Sequence, residues 1–411
     1  MLLSSDDLPM FFSEEHARLA ERLRAAMPAI AAVERPGAFA DEAARDRAAA
    51  AALAETGLFE LVVPRGRGGG AERAASAGEG GRESPPSIDT RALCLAREML
   101  GYVSPRADSI LAVQGLGTHA LGLAGSGEQR AQLAAFARGE RIAAFALTEP
   151  EAGSDVAAIA TRATPVTGAG GAAGDGYRLD GDKLFISNLG IADHAMVVAT
   201  VDPALGNAGL TAFWLPLDAA GVTVEPMTAI AAHPIGALAL RGAVVPASAR
   251  IGEVGHGMKL ALATLDAFRV SVGAAAVGMA RRALDEALGF VTARRQFGKL
   301  LSEQPLVQAH LADMVVDLDA ARLLVLRAAH QKDTTGGKVT TEVSIAKLGA
   351  TEAAQRVIDR AVQLFGGRGV MAGAVVETLY RAIRPLRIYE GTSEIQRTII
   401  GRALARQGRA P

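Results

Sequence analysis

The period of the apolar positions changes twice along the chain. From Ser13 to about Gly139 it is helical: Leu19, Leu23, Met27 and Ile30 recur every three or four residues, one stripe of an amphipathic helix. From about Arg141 to Arg250 the pattern shortens. Tyr177–Ile186 alternates around an Asp180-Gly181 pair, which predicts a hairpin. The runs 196–201, 210–215 and 222–224 also read as strands, and Gly- and Pro-rich turns between short strands predict a small barrel or sandwich. After Gly255 the helical period returns. Val277, Ala280, Leu284, Leu288 and Val291 fall on one predicted face. Pro305 suits a helix start, and Val307, Leu311, Met314, Leu318, Ala321 and Val325 form a bundle seam. A further helix is predicted over about 341–364. The expected fold is mostly α with a β insert: an N-terminal helical domain over 1–140, a β domain over 141–250 and a C-terminal helical bundle over 251–411. A stretch of Gly, Ser, Glu and paired Pro85 and Pro86 interrupts the first domain, and 65–89 reads as a mobile loop.

Composition narrows the function. The 411 residues are half hydrophobic, enough for a large core, and two or three domains fit the length. With 43 basic and 44 acidic residues the net charge is -1, which argues against a nucleic-acid partner or an acidic membrane surface. The single cysteine, Cys94, between Leu93 and Leu95, excludes an internal disulfide and reads as a core thiol. The acidic N-terminus fits no targeting peptide, and no stretch reads as long and apolar enough to span a bilayer; a cytoplasmic protein is expected. No metal-ligand spacing, phosphate loop or nucleophile elbow occurs.

Two segments carry candidate chemistry. In 387–397, Glu390 stands between the Ile388-Tyr389 pair and Gly391, an apolar setting that raises a carboxylate's pKa toward that of a base working near neutral pH. The same run could instead be a helix entrance capped by Thr392 or Ser393. In 144–155 a strand-like run ends at Thr148, and a small-residue loop follows. Gly153 there permits close backbone approach, and Thr148 and Ser154 offer hydroxyls.

Together these segments resemble the acyl-CoA dehydrogenase family: the 144–155 loop its flavin-contacting signature, and the run around Glu390 its catalytic-base segment. Three further motifs match in order. Phe185-Ile186-Ser187-Asn188 is similar to the strand beside the isoalloxazine ring, Arg294 to Lys299 to an Arg-x-x-Phe-Gly element, and Gln363 to Gly367 to the segment that cradles the adenine half of FAD across a subunit boundary. The likeness runs from about Phe12 to Leu404. It implies the family fold, with a C-terminal four-helix bundle, and FAD as cofactor.

The resemblance implies these roles. Leu147, Thr148, Gly153 and Ser154 would hold the flavin, with Ser154 also near CoA. Phe185 and Ser187 would flank the ring. Arg294, Phe297, Gln363, Gly366 and Gly367 would serve a neighbouring subunit's FAD, and Thr392 and Glu394 would close over the cofactor. Asp266, Arg269 and Gly391 would border the acyl-CoA. Glu390 would remove the α-proton while a β-hydride passes to flavin N5, giving a 2,3-enoyl-CoA. Electrons would leave to electron-transfer flavoprotein, in a homotetramer of fatty acid metabolism built as a dimer of dimers. From the residues alone, alternatives stay open: an Asp266–Arg269 helix-surface ion pair, a helix C-cap at Gly366, Gly367 and Gly369, and a structural face for Arg381, Arg384 and Arg387. The chain departs from the family at Pro305, where many members have glutamine, in a longer 65–89 loop, and at 232–236, where His233 reads as a loop histidine. Competing functions are a same-fold oxidase or oxygenase using O₂ and a non-catalytic helical binding protein.

Overall fold

A computed structural model describes residues 5–64, 88–167, 173–335 and 338–407. Most of the 65–89 stretch therefore lies outside the described residues. Among the described residues five α-helices come first: α1 (Glu14–Ala32), α2 (Glu42–Glu55), α3 (Thr90–Val103), α4 (Pro105–Ala124) and α5 (Gly127–Ala137). Polar caps start most of them. Asp41, Asp89, Ser104 and Ser126 each accept from a backbone N–H in the first turn of the following helix, satisfying a donor that has no partner inside it. The stripe foreseen for α1 is real: Leu19, Leu23 and Ile30 are buried and Met27 is half-buried.

The strands are β1 (Ala143–Ala146), β2 (Arg162–Thr167), β3 (Ala173–Ser187), β4 (His194–Thr200), β5 (Leu210–Pro216), β6 (Val222–Pro226), β7 (Ile235–Pro246) and β8 (Arg250–Ile251). They form one sheet in the order β6-β7-β3-β2-β4-β5-β8, with β1 also paired to β4. The hairpin expected at Asp180-Gly181 is absent. β3 runs straight through this pair, bonded to β2 on one side and β7 on the other, with a register shift between Leu179 and Asp180. Two flanking strands satisfy its backbone on both sides, so the Asp-Gly pair makes a bulge instead of a turn. Gly181 is needed there, because a Cβ would come within 2.8 Å of Thr161 atoms.

The C-terminal part holds α6 (Gly257–Ala293), a short ribbon of β9 (Arg295–Gln296) and β10 (Lys299–Leu300), then α7 (Pro305–Thr334), α8 (Thr340–Phe365), α9 (Val375–Ile383) and α10 (Ser393–Gln407). On α7 the predicted seam is buried from Met314 through Leu318 and Ala321 to Val325. On α6 the face differs from expectation. Ala280, Ala283, Ala287 and Val291 are buried, while Leu284 is half-buried and Leu288 exposed. A helix apolar nearly all round does not record its inner face in its period.

α6 is also long and apolar enough to cross a bilayer, contrary to the sequence expectation; most of its apolar window is buried inside the protein, as in a core helix. It packs backbone to backbone against α3: a Cβ at Gly101 would stand 2.2 Å from the Ala275 carbonyl oxygen, and one at Gly278 2.0 Å from that of Glu98. Cys94 is buried in this core, and burial pushes its thiol pKa up, keeping it protonated.

Candidate active site

Glu390 follows a one-turn helix, Arg384–Arg387, whose Pro385 carbonyl accepts from the N–H groups of Ile388 and Tyr389. The chain then turns through two left-handed residues, Glu390 at φ 51° and Gly391 at φ 92°, before entering α10. Thr392 Oγ1 accepts from the Ile395 N–H, so the capping role foreseen for Thr392 or Ser393 falls to Thr392. Ser393 instead donates to Glu352 Oε1 (2.6 Å), and Arg387 pairs with the same carboxylate (2.8 Å), tying the entrance of α10 to α8. Helix cap and buried carboxylate coexist in one turn.

Glu390 is half-exposed as a residue, yet its Oε2 atom is buried and has no hydrogen-bond partner among the described residues. Burial raises its pKa. The Arg97, Arg269 and Lys347 cations act against that rise, and Asp108 adds to it. Three side chains hold the main chain of the turn. Arg269 Nε on α6 donates to the Glu390 carbonyl (3.1 Å) and Lys347 Nζ on α8 to the Gly391 carbonyl (2.8 Å). Gln396 Nε2 on α10 donates to both, at 3.4 and 3.0 Å. At φ 92° the Gly391 position favours glycine, and a Cβ there would push the Gln396 amide, 2.6 Å away, off its two carbonyls.

Behind the turn lies a buried ion pair. Arg97 donates to both Asp108 oxygens (2.8 and 2.7 Å) and to Ser271 Oγ (3.0 Å), joining α3, α4 and α6. Sequence reasoning passed over Arg97, Asp108, Lys347 and Gln396. A signal existed for Lys347, which interrupts the apolar stripe Val343, Ala350, Ala354, Val357 on α8.

The 147–154 loop is anchored from below. Lys183 is fully buried and donates to the carbonyls of Leu147 (3.2 Å) and Val198 (2.6 Å) and to Glu149 Oε1 (2.7 Å). Glu149 in turn accepts from the N–H groups of Ala160 (2.7 Å) and Thr161 (3.0 Å). Burial would raise the Glu149 pKa, but Lys183 and these hydrogen bonds outweigh it and lower it. Leu147 is buried, Thr148 half-buried, and Gly153 and Ser154 face outward. A Cβ at Gly153 would meet no protein atom within 4 Å, so that side of the loop is open.

Phe185 is 58% exposed with φ 58°, an aromatic ring held out from the sheet by a strained residue. Ser187 Oγ lies 3.3 Å from His233 Nε2, while His233 Nδ1 lies 2.9 Å from the Ala231 carbonyl. A carbonyl oxygen cannot donate, so Nδ1 carries the proton; burial keeps the ring neutral, and Ser187 donates to Nε2. His233 also lines a small cavity with Ser109, Met279 and Tyr389, which is closer to the site than its reading as a loop histidine implied.

The other predicted residues divide. Arg269 is gathered at Glu390. Asp266, 4.0 Å from Arg269, is bound chiefly by Lys332, so the helix-surface pair is weak. Glu394 is exposed on the first turn of α10. Arg294, Phe297, Gln363, Gly366 and Gly367 stand together at the far end of the bundle, where Phe290 of α6 stacks on Phe365 of α8 (4.4 Å). Phe297 is 95% exposed at φ 53°. Gly366, at φ 59°, ends α8, so the C-cap reading describes it too. Arg381 and Arg387 pair with Glu377 and Glu352, as a structural face should.

Comparison with known proteins identifies this arrangement. The middle domain of acyl-CoA dehydrogenase matches residues 144–242 and its C-terminal domain residues 255–405. A probable acyl-CoA dehydrogenase of Mycobacterium tuberculosis is 37% identical over 402 residues, covering 96% of either chain. Butyryl-CoA dehydrogenase from Megasphaera elsdenii superposes with a TM-score of 0.79 at 30% identity, covering 94% of this chain and 98% of its own. The structure of PigA with FAD and proline gives a TM-score of 0.79 at 27% identity, covering 94% and 97%. The chain belongs to the acyl-CoA dehydrogenase family and is an oxidoreductase.

Proposed function

We propose that the protein removes one hydrogen each from C2 and C3 of a short-chain acyl-CoA thioester, with Glu390 as base and FAD as electron acceptor. The observation that carries this reading is the Glu390 carboxylate: raised pKa, one oxygen buried with no partner among the described residues, and a main chain held by three helices. Such a group is a base lacking its proton donor, which the substrate's C2–H would supply. FAD, when bound, supplies the acceptor for the C3 hydrogen and its electron pair.

The residues fit that group. The open face at Gly153 lies beside the Thr148 and Ser154 hydroxyls, and Phe185 offers an exposed ring next to Ser187. Leu147 closes the loop's apolar side. Glu390 takes the C2 proton, the C2–H electrons become the C2=C3 bond, and the Glu390 N–H faces the negative charge that develops on the thioester oxygen. Arg269 orients the base through its carbonyl, Asp266 and Ser154 border the CoA side, and Thr392 and Glu394 would close over the cofactor. Electron-transfer flavoprotein is the acceptor proposed for the electrons.

A short acyl group is favoured by the packing inward of Glu390. The Arg97–Asp108–Ser271 network bridges α3, α4 and α6 there. A Cβ at Gly115 on α4 would stand 2.4 Å from the Phe268 ring of α6, which closes that gap. A long alkyl chain would have to displace a desolvated ion pair.

Anaerobic bleaching of the bound flavin by saturated acyl-CoAs tests both parts. Butyryl-CoA should bleach it fastest, and dodecanoyl-CoA about 10-fold or more slower. Glu390→Gln should retain FAD and bleach about 10²- to 10⁴-fold slower. Bleaching of Glu390→Gln at the wild-type rate would overturn the base, and fastest bleaching by the long chain would overturn the substrate class.

A further inference from the structure

Two successive left-handed residues carry the base, and one of them is not glycine. An L-residue does not adopt that conformation readily, so the Glu390 turn persists because its surroundings hold it. Gln396 reaches the turn from the first turn of the helix that follows it, and Arg269 also borders Asp266 at 4.0 Å. Lys347 stands on the inner stripe of α8 among Val343, Ala350, Ala354 and Val357, completely buried, and its ammonium donates to the Gly391 carbonyl. Any apolar side chain would fill that stripe without the desolvation cost of burying an ammonium.

Resting on the reading of Glu390 as the base, we infer that Lys347 is a positioning residue: it pins the Gly391 carbonyl, keeps Glu390 in its left-handed conformation, and holds the carboxylate ionised through its charge. The groups facing Glu390 are Arg97 on α3, Asp108 on α4, Arg269 on α6 and Lys347 on α8. Lys347 itself is faced by Glu390, Arg269, Glu352 and Glu394. Burial lowers the Lys347 pKa to about 8, with Glu390 acting against that fall. Its charge is therefore present in neutral and acidic buffer and fades above pH 8.

The sign of the test follows. Glu390 works as a carboxylate, so removing a nearby positive charge raises its pKa and moves the acidic limb of the kcat/KM profile to higher pH. The limb should move by about one pH unit or more in holoenzyme carrying Lys347→Met or Lys347→Gln, and return most of the way in Lys347→Arg. The gap from wild type should shrink above pH 8, where wild-type Lys347 also loses its proton. Gln retains a donor for the Gly391 carbonyl, so at high pH its kcat should exceed that of Met. A second readout needs no hydride transfer: exchange of the substrate's C2 hydrogen with D₂O, followed by NMR, should fall about 10-fold in mildly acidic buffer for both uncharged variants. An acidic limb and an exchange rate unmoved in Lys347→Gln would overturn the inference, whether or not Lys347→Met folds. Wild-type exchange in Glu390→Gln would instead overturn the base assignment, so the two failures are separable.

Discussion

His119 shows how much a single buried group can decide. Its ring sits between α4 and α6, Nδ1 3.2 Å from the Thr264 hydroxyl and the ring edge-on to Phe268 at 5.7 Å. Burial, with the Lys332 ammonium adding to it, lowers its pKa to about 4. The unfolded chain binds this proton below about pH 6.5, and the folded chain does not until about 4. Stability is therefore complete above about pH 6.5 and lost as pH falls toward 4, by on the order of 3 kcal/mol from this residue. Urea unfolding of wild type and His119→Leu across that window should show a flatter pH dependence for the variant; equal slopes would remove His119 as the cause. At this scale Glu390 was legible in the sequence, because its apolar neighbours are adjacent in the chain. Arg97, Asp108 and Lys347 were not, because the groups that make them functional lie on other helices.

Among the elements, the loop between β1 and β2 depends on one buried lysine. Its Leu147–Ser154 part is tied to β3 and β4 by Lys183, whose three acceptors are all inside the protein. Lys183→Met would strand the Glu149 carboxylate in the interior, costing about 3–5 kcal/mol, and should release flavin before the helices unfold. The double variant Lys183→Met/Glu149→Leu removes both charges and should recover much of that stability. Thermal unfolding followed separately by flavin fluorescence and helical circular dichroism would check this, and a double variant no more stable than the single one would count against it. Element periods were readable where one face is apolar and the other polar, as on α1 and α7. They failed where that contrast vanishes. On α6, alanines pack inward and Leu288 outward, and at Asp180-Gly181 pairing on both sides of β3 overrode a strong local turn signal.

Across the whole molecule, the predicted flavin residues separate into two groups. Lys347 lies two turns inside the start of α8 and Phe365 ends it, about 27 Å apart at the rise of an α-helix. Arg294, Phe297, Gln363, Gly366 and Gly367 are therefore far from the chain's own Glu390. We take them to serve the FAD of a neighbouring copy, in a tetramer built as a dimer of dimers. The exposed apolar positions Leu306, Val316 and Leu323 of α7 fit burial between copies. Arg294→Ala combined with Phe297→Ala should lower FAD content, although neither residue approaches Glu390. Sedimentation should find wild type larger than a monomer, and a monomer with full FAD occupancy would contradict the arrangement.

By itself the sequence determined the order of helices, strands and helices, the motifs that mark the family, and the carboxylate proposed here as the base. Each of these is written in neighbouring residues, through side-chain period or short spacing. Tertiary structure alone decided what surrounds that carboxylate. Residues 97, 108, 269, 347 and 396 meet around Glu390 only when five helices pack, and the pKa and conformation of its carboxylate and turn arise from those meetings. Electrostatic and steric terms act through space over a few ångströms, and a linear pattern does not record which distant residues come that close.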